Sequence, residues 1–158
     1  MANLNDKEPI KPKCLDEGIH LYGSILCLDT LTTGQVSFLS SAATATRLSP
    51  PTSSGPQLIA TEETIRLLES KKQHSNALLC QYNRPFSIGR LRMELLPSGA
   101  ILGGASLYIE SGKNRILYAP QILPQKNIMA RQMQLKKAST LILGAFSADN
   151  ASTVPNRK

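Results

Sequence analysis

The chain of 158 residues contains no tryptophan, and aromatic residues make up only 4% of it. Hydrophobic residues still amount to 41%, so the core has to be built mainly from Leu, Ile, Val, Ala and Met. A chain of this length buries roughly 70% of the surface that its unfolded form exposes, which is enough for one domain with its own core. The composition therefore favours small aliphatic strands packed under short helices.

Cysteine and histidine are also scarce. Cys14, Cys27 and Cys80 are odd in number and widely spaced, which argues against a disulfide framework and against a zinc ribbon. His74 and Cys80 have a spacing that no zinc motif uses, and His20 falls in the N-terminal segment. The polar start of the chain has no secretory signal, and no apolar run approaches the ~20 residues of a membrane span. We therefore expect a cytoplasmic protein with no membrane partner.

Positive charge is in excess, with a formal net charge of +7, but it forms no dense block. The adjacent basic pairs Lys71-Lys72 and Lys136-Lys137 are not interleaved with aromatic residues, as a nucleic-acid stacking platform would be. An evenly solvated basic surface is the simpler interpretation. Weak electrostatic binding to nucleic acid through these four lysines stays open as the alternative.

The pattern of apolar residues divides the chain into a flexible leader (1–20), one domain (21–148) and a flexible tail (149–158). Strands are predicted at 25–28, 35–39, 57–60, 76–81, 91–95, 107–110, 115–118 and 140–143. Residues 62–71 predict a helix capped by Thr61, and residues 40–56 predict a long loop with a helical turn at its start. This order of elements predicts a mixed α/β fold.

Three segments resemble motifs of metallo-β-lactamase-fold nucleases, the group that includes the β-CASP RNA-processing nucleases and the DNA-ligase-associated exonucleases. Residues 38–48 are similar to a segment that reads Phe-Val-Ser-His-x-His-x-Asp-His. Residues 95–105 are similar to Pro-Ala-Gly-His-x-Leu-Gly-Ser-Ala, and residues 117–121 to Leu-Tyr-Thr-Gly-Asp. The resemblance covers about residues 21–148. It implies half of an αββα sandwich, an α/β fold with a mixed sheet and a few flanking helices.

In that family, four residues of the first motif, the later His and the later Asp bind two zinc ions, which activate a water molecule. The resemblance implies that the corresponding positions here are Ser41, Ala43, Ala45, Thr46, Ala100 and Gln121. An alanine side chain has no ligand atom, and neutral hydroxyl and amide oxygens are weak zinc ligands. Asp29 matches a family aspartate that is retained, but alone it cannot hold zinc. The resemblance thus implies vestigial metal positions, no cofactor and no catalysis.

Asp29 and the glycine pair Gly103-Gly104 have simpler interpretations than catalysis. Asp29 at a strand end is expected to be a turn or cap residue rather than a base. Gly103-Gly104 is not followed by the Lys-Ser/Thr pair of a phosphate loop. These glycines are expected to let the backbone approach closely where the wall of the pocket turns.

Half of a sandwich would leave an apolar sheet face exposed, and we expect it on the Leu91, Met93 and Leu95 side. The expected partner is a second copy in a homodimer or another chain that completes the sandwich. Three functions stay open. The chain is a non-catalytic binding or scaffold subunit in a nucleic-acid-processing complex, a truncated remnant without a retained role, or a residual nuclease or other hydrolase that uses a different site.

Overall fold

The structure is a computed structural model that describes residues 10–15, 18–45, 48, 56–69 and 76–144. Its strands are β1 (Lys11–Leu15), β2 (Gly18–Tyr22), β3 (Leu26–Leu28), β4 (Val36–Phe38), β5 (Gln57–Ala60), β6 (Ala77–Leu79), β7 (Phe86–Ile88), β8 (Leu91–Pro97), β9 (Ala105–Ser111), β10 (Asn114–Ala119) and β11 (Thr140–Leu143). Its helices are α1 (Ala42–Ala45) and α2 (Glu62–Glu69). No helix in the described ranges is long and apolar enough to cross a membrane.

The strands form two mixed sheets. In the first sheet the order is β1-β2-β3-β4-β5-β6, with β1, β2 and β3 antiparallel and β3 to β6 parallel. In the second sheet the order is β11-β10-β9-β8-β7, and each pair is antiparallel except β10 with β11. Because β3, β4 and β5 are parallel, the segments that follow them meet at one edge of the first sheet.

The two sheets pack face to face. Alternate side chains of each strand point to the same side of its sheet, so every second residue can face the opposite sheet. The inward-facing side chains form one cluster, which includes Leu26, Leu28, Val36, Phe38 and Ile59 from the first sheet and Leu91, Met93, Leu95, Leu107, Ile109, Ile116 and Tyr118 from the second. The rings of Phe38 and Tyr118 meet edge to face, with their centroids 6.2 Å apart. The main core therefore lies between the sheets.

The face formed by Leu91, Met93 and Leu95 is consequently not an exposed interface, and that prediction is wrong. The three residues are exposed by 3%, 1% and 0%. The prediction assumed that the opposing sheet had to come from outside the chain. In the structure the chain supplies both sheets, so a partner surface has to lie elsewhere.

Helix α2 covers part of the outer face of the first sheet. Leu58 and Ala60 point away from the central core and pack against Ile65 and Leu68 of the helix. The Thr64 amide N–H donates a hydrogen bond to the Thr61 hydroxyl at 3.2 Å, which confirms the predicted cap. The helix is described up to Glu69, and the last two residues of the predicted helix, 70 and 71, lie outside the described ranges.

The predicted mixed α/β fold with few helices is confirmed. Each predicted strand is present with ends shifted by at most two residues, and α1 is the predicted helical turn. The sequence prediction missed β1, β2 and β7. Residues 11–15 and 18–20 are paired in a hairpin, so the predicted leader needs correction there. Residues 1–9 and the predicted tail lie outside the described ranges.

The missed hairpin has a physical explanation. β1 reads Lys-Pro-Lys-Cys-Leu, and its two charges and its proline resemble a solvated leader rather than a strand. Because β1 is an edge strand, however, Pro12 needs no amide hydrogen bond on the open side, and lysines on such an edge are common. The same residues therefore suit both a leader and an edge strand.

Candidate functional site

Polar side chains collect where β3, β4 and β10 end. Asp29 directly follows β3, Ser40 and Ser41 stand between β4 and α1, and Gln121 lies two residues beyond β10. The group formed by Asp29, Ser40, Ser41, Thr44, Tyr118 and Gln121 is called the Asp29 cluster below. It brings together three of the residues to which the sequence pointed, namely Asp29, Ser41 and Gln121.

Asp29 joins the ends of three strands. Its φ of 47° lies in the left-handed region, which Asp tolerates better than most residues. Its amide N–H donates to the Phe38 carbonyl at 2.8 Å. Its carboxylate accepts from the Ser40 amide N–H through Oδ1 at 2.7 Å and from the Tyr118 hydroxyl through Oδ2 at 2.8 Å. Asp29 thus links the ends of β3, β4 and β10 through hydrogen bonds.

The electrostatics of this carboxylate are those of a largely desolvated acid. Burial raises the pKa of Asp29 above its ordinary value, and hydrogen bonds from Ser40 and Tyr118 partly offset that rise. Burial and, after it, the Asp29 carboxylate raise the pKa of Tyr118, so the tyrosine hydroxyl keeps its proton and donates a hydrogen bond to Asp29. Both carboxylate oxygens therefore already have a donor within the chain.

The hydroxyl groups of the cluster also bond to one another. Ser41 caps α1, since its Oγ accepts from the Thr44 amide N–H at 3.2 Å. The Ser41 Oγ lies 3.0 Å from the Thr44 Oγ1 and 3.4 Å from the Gln121 Oε1. Ser40, Ser41 and Thr44 are exposed by 2%, 0% and 6%, so the network lies almost entirely out of water.

Where the structure describes them, the other family positions contribute methyl groups and backbone. Ala43 and Ala45 lie in α1, and Ala100 lies in the loop after β8. The Ala100 carbonyl accepts from the Asn127 Nδ2 at 2.8 Å. Thr46 lies outside the described ranges.

The side chains of the Asp29 cluster do not fit a zinc ion. Zinc prefers thiolate, imidazole and carboxylate ligands, and the cluster has one carboxylate among hydroxyls and a single amide. That carboxylate is already hydrogen-bonded at both oxygens. Within the described ranges, no three His, Cys, Asp or Glu side chains are close enough to share a metal ion. Ser41 contacts Thr44 and Gln121 rather than a base, so these contacts do not activate it as a nucleophile.

The glycines beside the cluster allow close packing of the backbone, as expected. A Cβ on Gly103 would lie 2.8 Å from the Thr64 backbone nitrogen, and the φ of Gly103 is +74°. The Gly103 carbonyl accepts from the Thr61 and Thr64 hydroxyls at 2.8 and 3.0 Å. The next carbonyl, of Gly104, accepts from the Tyr82 hydroxyl at 3.0 Å. This loop is thereby fastened to the start of α2.

Sequence reasoning missed Ser40, Thr44 and Tyr118 as members of the cluster. A local signal existed for Thr44, because a serine three residues before it is typical of a helix N-cap. For Tyr118 no local signal existed, since its partner Asp29 is 89 residues away along the chain.

Of the four lysines predicted as basic contacts, the structure describes Lys136 and Lys137. The Lys136 Nζ forms an ion pair with Glu94 and lies over the ring of Tyr108. Its charge is therefore partly neutralised on the outer face of the second sheet. Lys137 is exposed beside it, and Lys71 and Lys72 lie outside the described ranges.

A second polar group lies where β2 pairs with β3, on the outer side of the first sheet. The Cys27 Sγ is 3.1 Å from the His20 Nδ1 and also contacts the Gln35 side-chain oxygen. Burial raises the pKa of the Cys27 thiol, which disfavours the reactive thiolate. Sequence reasoning missed this pair because it assigned His20 to a leader.

Comparison with known proteins adds little to this geometry. No protein-family model and no curated protein matches the chain. A protein of unknown function from Enterococcus faecalis V583 shares 19% identity at a TM-score of 0.44, over 55% of this chain and 24% of that one. The metallo-beta-lactamase fold protein YhfI from Bacillus subtilis shares 12% identity at a TM-score of 0.37, over 53% of this chain and 39% of that one. Likenesses of this size do not transfer a residue role or an activity.

Proposed function

We propose that the chain is a catalytically inactive, metallo-β-lactamase-like domain that serves as a non-catalytic binding or scaffold subunit in a nucleic-acid-processing complex. The observation that supports it best is the state of Asp29. The carboxylate of this retained acid accepts hydrogen bonds from the Ser40 amide and the Tyr118 hydroxyl, so it stabilises the fold where a metal ligand would need free oxygens.

The surrounding network supports the same role. Hydrogen bonds to a charged group contribute about 1.5–3 kcal/mol each, which is larger than a typical neutral pair. The bond to Asp29 from Tyr118 of β10 joins the two sheets, and the bond from Ser40, just after β4, links the ends of β3 and β4 within the first sheet. In this proposal the Asp29 cluster stands where relatives have their reaction centre, and its role here is to stabilise the fold.

The decisive experiment measures zinc in the purified chain and in a restored variant. The variant carries Ser41→His, Ala43→His, Ala45→Asp, Thr46→His, Ala100→His and Gln121→Asp. We expect the natural chain to retain substoichiometric zinc after incubation with the metal and desalting, and the restored variant to retain more. Circular dichroism of both proteins checks that the variant is folded.

A cleavage assay completes this test. We expect the natural chain to leave single-stranded RNA and DNA oligonucleotides intact. Stoichiometric zinc in the natural chain, together with cleavage that a chelator abolishes, would overturn the proposal in favour of a residual hydrolase.

The scaffold role also requires a stable protein and a partner. The shared core between the sheets supports a cooperatively folded chain rather than a decayed remnant. The free cysteines of the described ranges fit a reducing cytoplasm. Size-exclusion chromatography with light scattering separates a homodimer from a monomer that awaits another chain, and non-cooperative urea unfolding would favour the remnant.

A further inference from the structure

We propose that the outer face of the β1–β2 hairpin binds single-stranded nucleic acid, with Tyr22 stacking on a base and Lys11 and Lys13 contacting phosphates. The proposal names a ligand for the proposed binding subunit, and it rests on that function for its biological role only. Its chemistry comes from a surface that shares no residue with the Asp29 cluster.

The strand register places these side chains on one face. Lys11 pairs with Tyr22, and Lys13 pairs with His20. Since side chains alternate along a strand, Lys11, Lys13, His20 and Tyr22 all point to the same side. Leu21 points to the other side, into the core between the sheets. The four residues therefore lie on the part of the outer side of the first sheet that β1 and β2 form, called the hairpin face below.

The hairpin face is accessible to a ligand. In the described ranges α2 covers the part of the first sheet around Leu58 and Ala60, whereas Tyr22 is 62% exposed. A shallow groove of about 650 Å³ runs beside Tyr22, and its lining includes Lys13, His20 and Gln35. The groove is large enough for more than one base.

The charge of the face suits a phosphate backbone. Among the described residues that line the groove, none carries a carboxylate. Lys11 and Lys13 are exposed and stand two residues apart, roughly 6.5 Å along an extended strand, so that they can reach different phosphates. Asp16 and Glu17, between the two strands, lie outside the described ranges.

An exposed aromatic ring among cations favours single strands over duplexes. A stacking tyrosine needs the flat face of a base, which a duplex hides within its base stack. Lysines alone would bind any polyanion. The combination of Tyr22 with Lys11 and Lys13 therefore points to an unpaired strand.

The test measures fluorescence anisotropy of labelled oligo(dT) and oligo(rU) of about 12 nucleotides, within the usual site sizes of ~4–16. We expect Tyr22→Ala to weaken binding roughly 5- to 100-fold, whereas Tyr22→Phe keeps the stacking ring and stays close to the natural chain. The slope of log affinity against log salt is negative, and the double variant Lys11→Glu/Lys13→Glu should reduce its magnitude by about 1.4, or ~0.7 for each phosphate that a lysine no longer neutralises.

The matched control is Lys113→Glu/Lys126→Glu, which changes net charge equally at two exposed lysines outside the hairpin face. We expect it to bind almost as well as the natural chain. A control that loses as much affinity as Lys11→Glu/Lys13→Glu would show a general charge effect and would overturn the proposal. Circular dichroism verifies that each variant is folded.

Three other outcomes would also overturn it. They are an absence of oligonucleotide binding at low salt, full binding by Tyr22→Ala, and equally tight binding of a duplex of the same length. Binding to vesicles with anionic lipid in place of oligonucleotides would reassign the face to a membrane surface. None of these results bears on zinc content or cleavage, so failure here is distinguishable from failure of the proposed function.

Discussion

The Asp29 cluster and the hairpin face use similar polar chemistry in opposite surroundings. In the cluster, the carboxylate of Asp29 and the hydroxyls of Ser41 and Thr44 are bonded to groups of the same chain. On the hairpin face, Lys13 and Tyr22 point into water. Polar groups that are satisfied internally stabilise a fold, whereas polar groups that face solvent are available to a ligand. Asp29, Ser41 and Gln121, to which the family resemblance pointed, thus bond to groups of the same chain, whereas Lys13 and Tyr22, to which it did not point, are accessible.

The largest expected effect is on the cluster side of this comparison. Asp29→Ala leaves the Ser40 amide and the Tyr118 hydroxyl without an acceptor, and each unsatisfied buried donor costs about 1–3 kcal/mol. We expect the free energy of unfolding, measured in urea, to fall by about 2–6 kcal/mol. Glu110→Ala serves as a control, because its ion pairs with Arg92 and Arg115 are part-exposed and worth at most about 1 kcal/mol. If both variants lost an equally small part of the free energy of unfolding, Asp29 would not have the structural role described here.

The titration of the same carboxylate sharpens the comparison. Because the pKa of Asp29 is raised on folding, the folded chain binds more protons than the unfolded chain between the ordinary value of 3.8 and the folded pKa. The contribution of this site to stability is therefore present at low pH and is lost as the pH rises through the folded pKa.

Asp29→Asn cannot titrate there. We expect the natural chain to gain stability relative to Asp29→Asn as the pH is lowered from neutral towards 3.8, in urea unfolding at a series of pH values. A difference that stays constant, or changes in the other direction, would contradict the raised pKa.

A smaller effect is expected at the start of α2, where Thr61 caps the helix and bonds to the Gly103 carbonyl. Thr61→Val removes the hydroxyl at nearly constant volume and should cost about 1 kcal/mol, within the roughly 0.5–2 kcal/mol usual for a lost cap. Thr61→Ser retains the hydroxyl and should keep most of that stability. The comparison of the two variants by thermal unfolding isolates the hydrogen bonds from the loss of packing.

The smallest effect on stability is expected on the hairpin face. Tyr22→Ala and Lys13→Ala should each change the free energy of unfolding by no more than about 0.5 kcal/mol, because both side chains face solvent. A loss well above that for Tyr22→Ala would mean that the ring packs as part of the fold. The hairpin face would then stabilise the fold, as the Asp29 cluster does.

Much of the local structure could be predicted from the sequence. The runs around Leu28, Phe38 and Ile109 alternate or cluster as strands do, and Thr61 before two glutamates marks a helix start. The edge strand β1 could not be predicted, because the two lysines and the proline of that strand suit an exposed edge and a solvated leader equally well. Ser41 and Gln121, both named from the sequence, lie in contact, with the Ser41 Oγ 3.4 Å from the Gln121 Oε1.

The sequence by itself determined that alanines, hydroxyls and an amide stand at the positions to which the resemblance pointed. It also determined which residues share a strand face, because alternation is a local property of the backbone. Only the tertiary structure decided what lies opposite each face. The Leu95 side is buried against the first sheet, Tyr118 reaches Asp29 across 89 residues, and Tyr22 stays in water. Those outcomes depend on how two sheets from separate parts of the sequence pack together, and no local pattern specifies that arrangement.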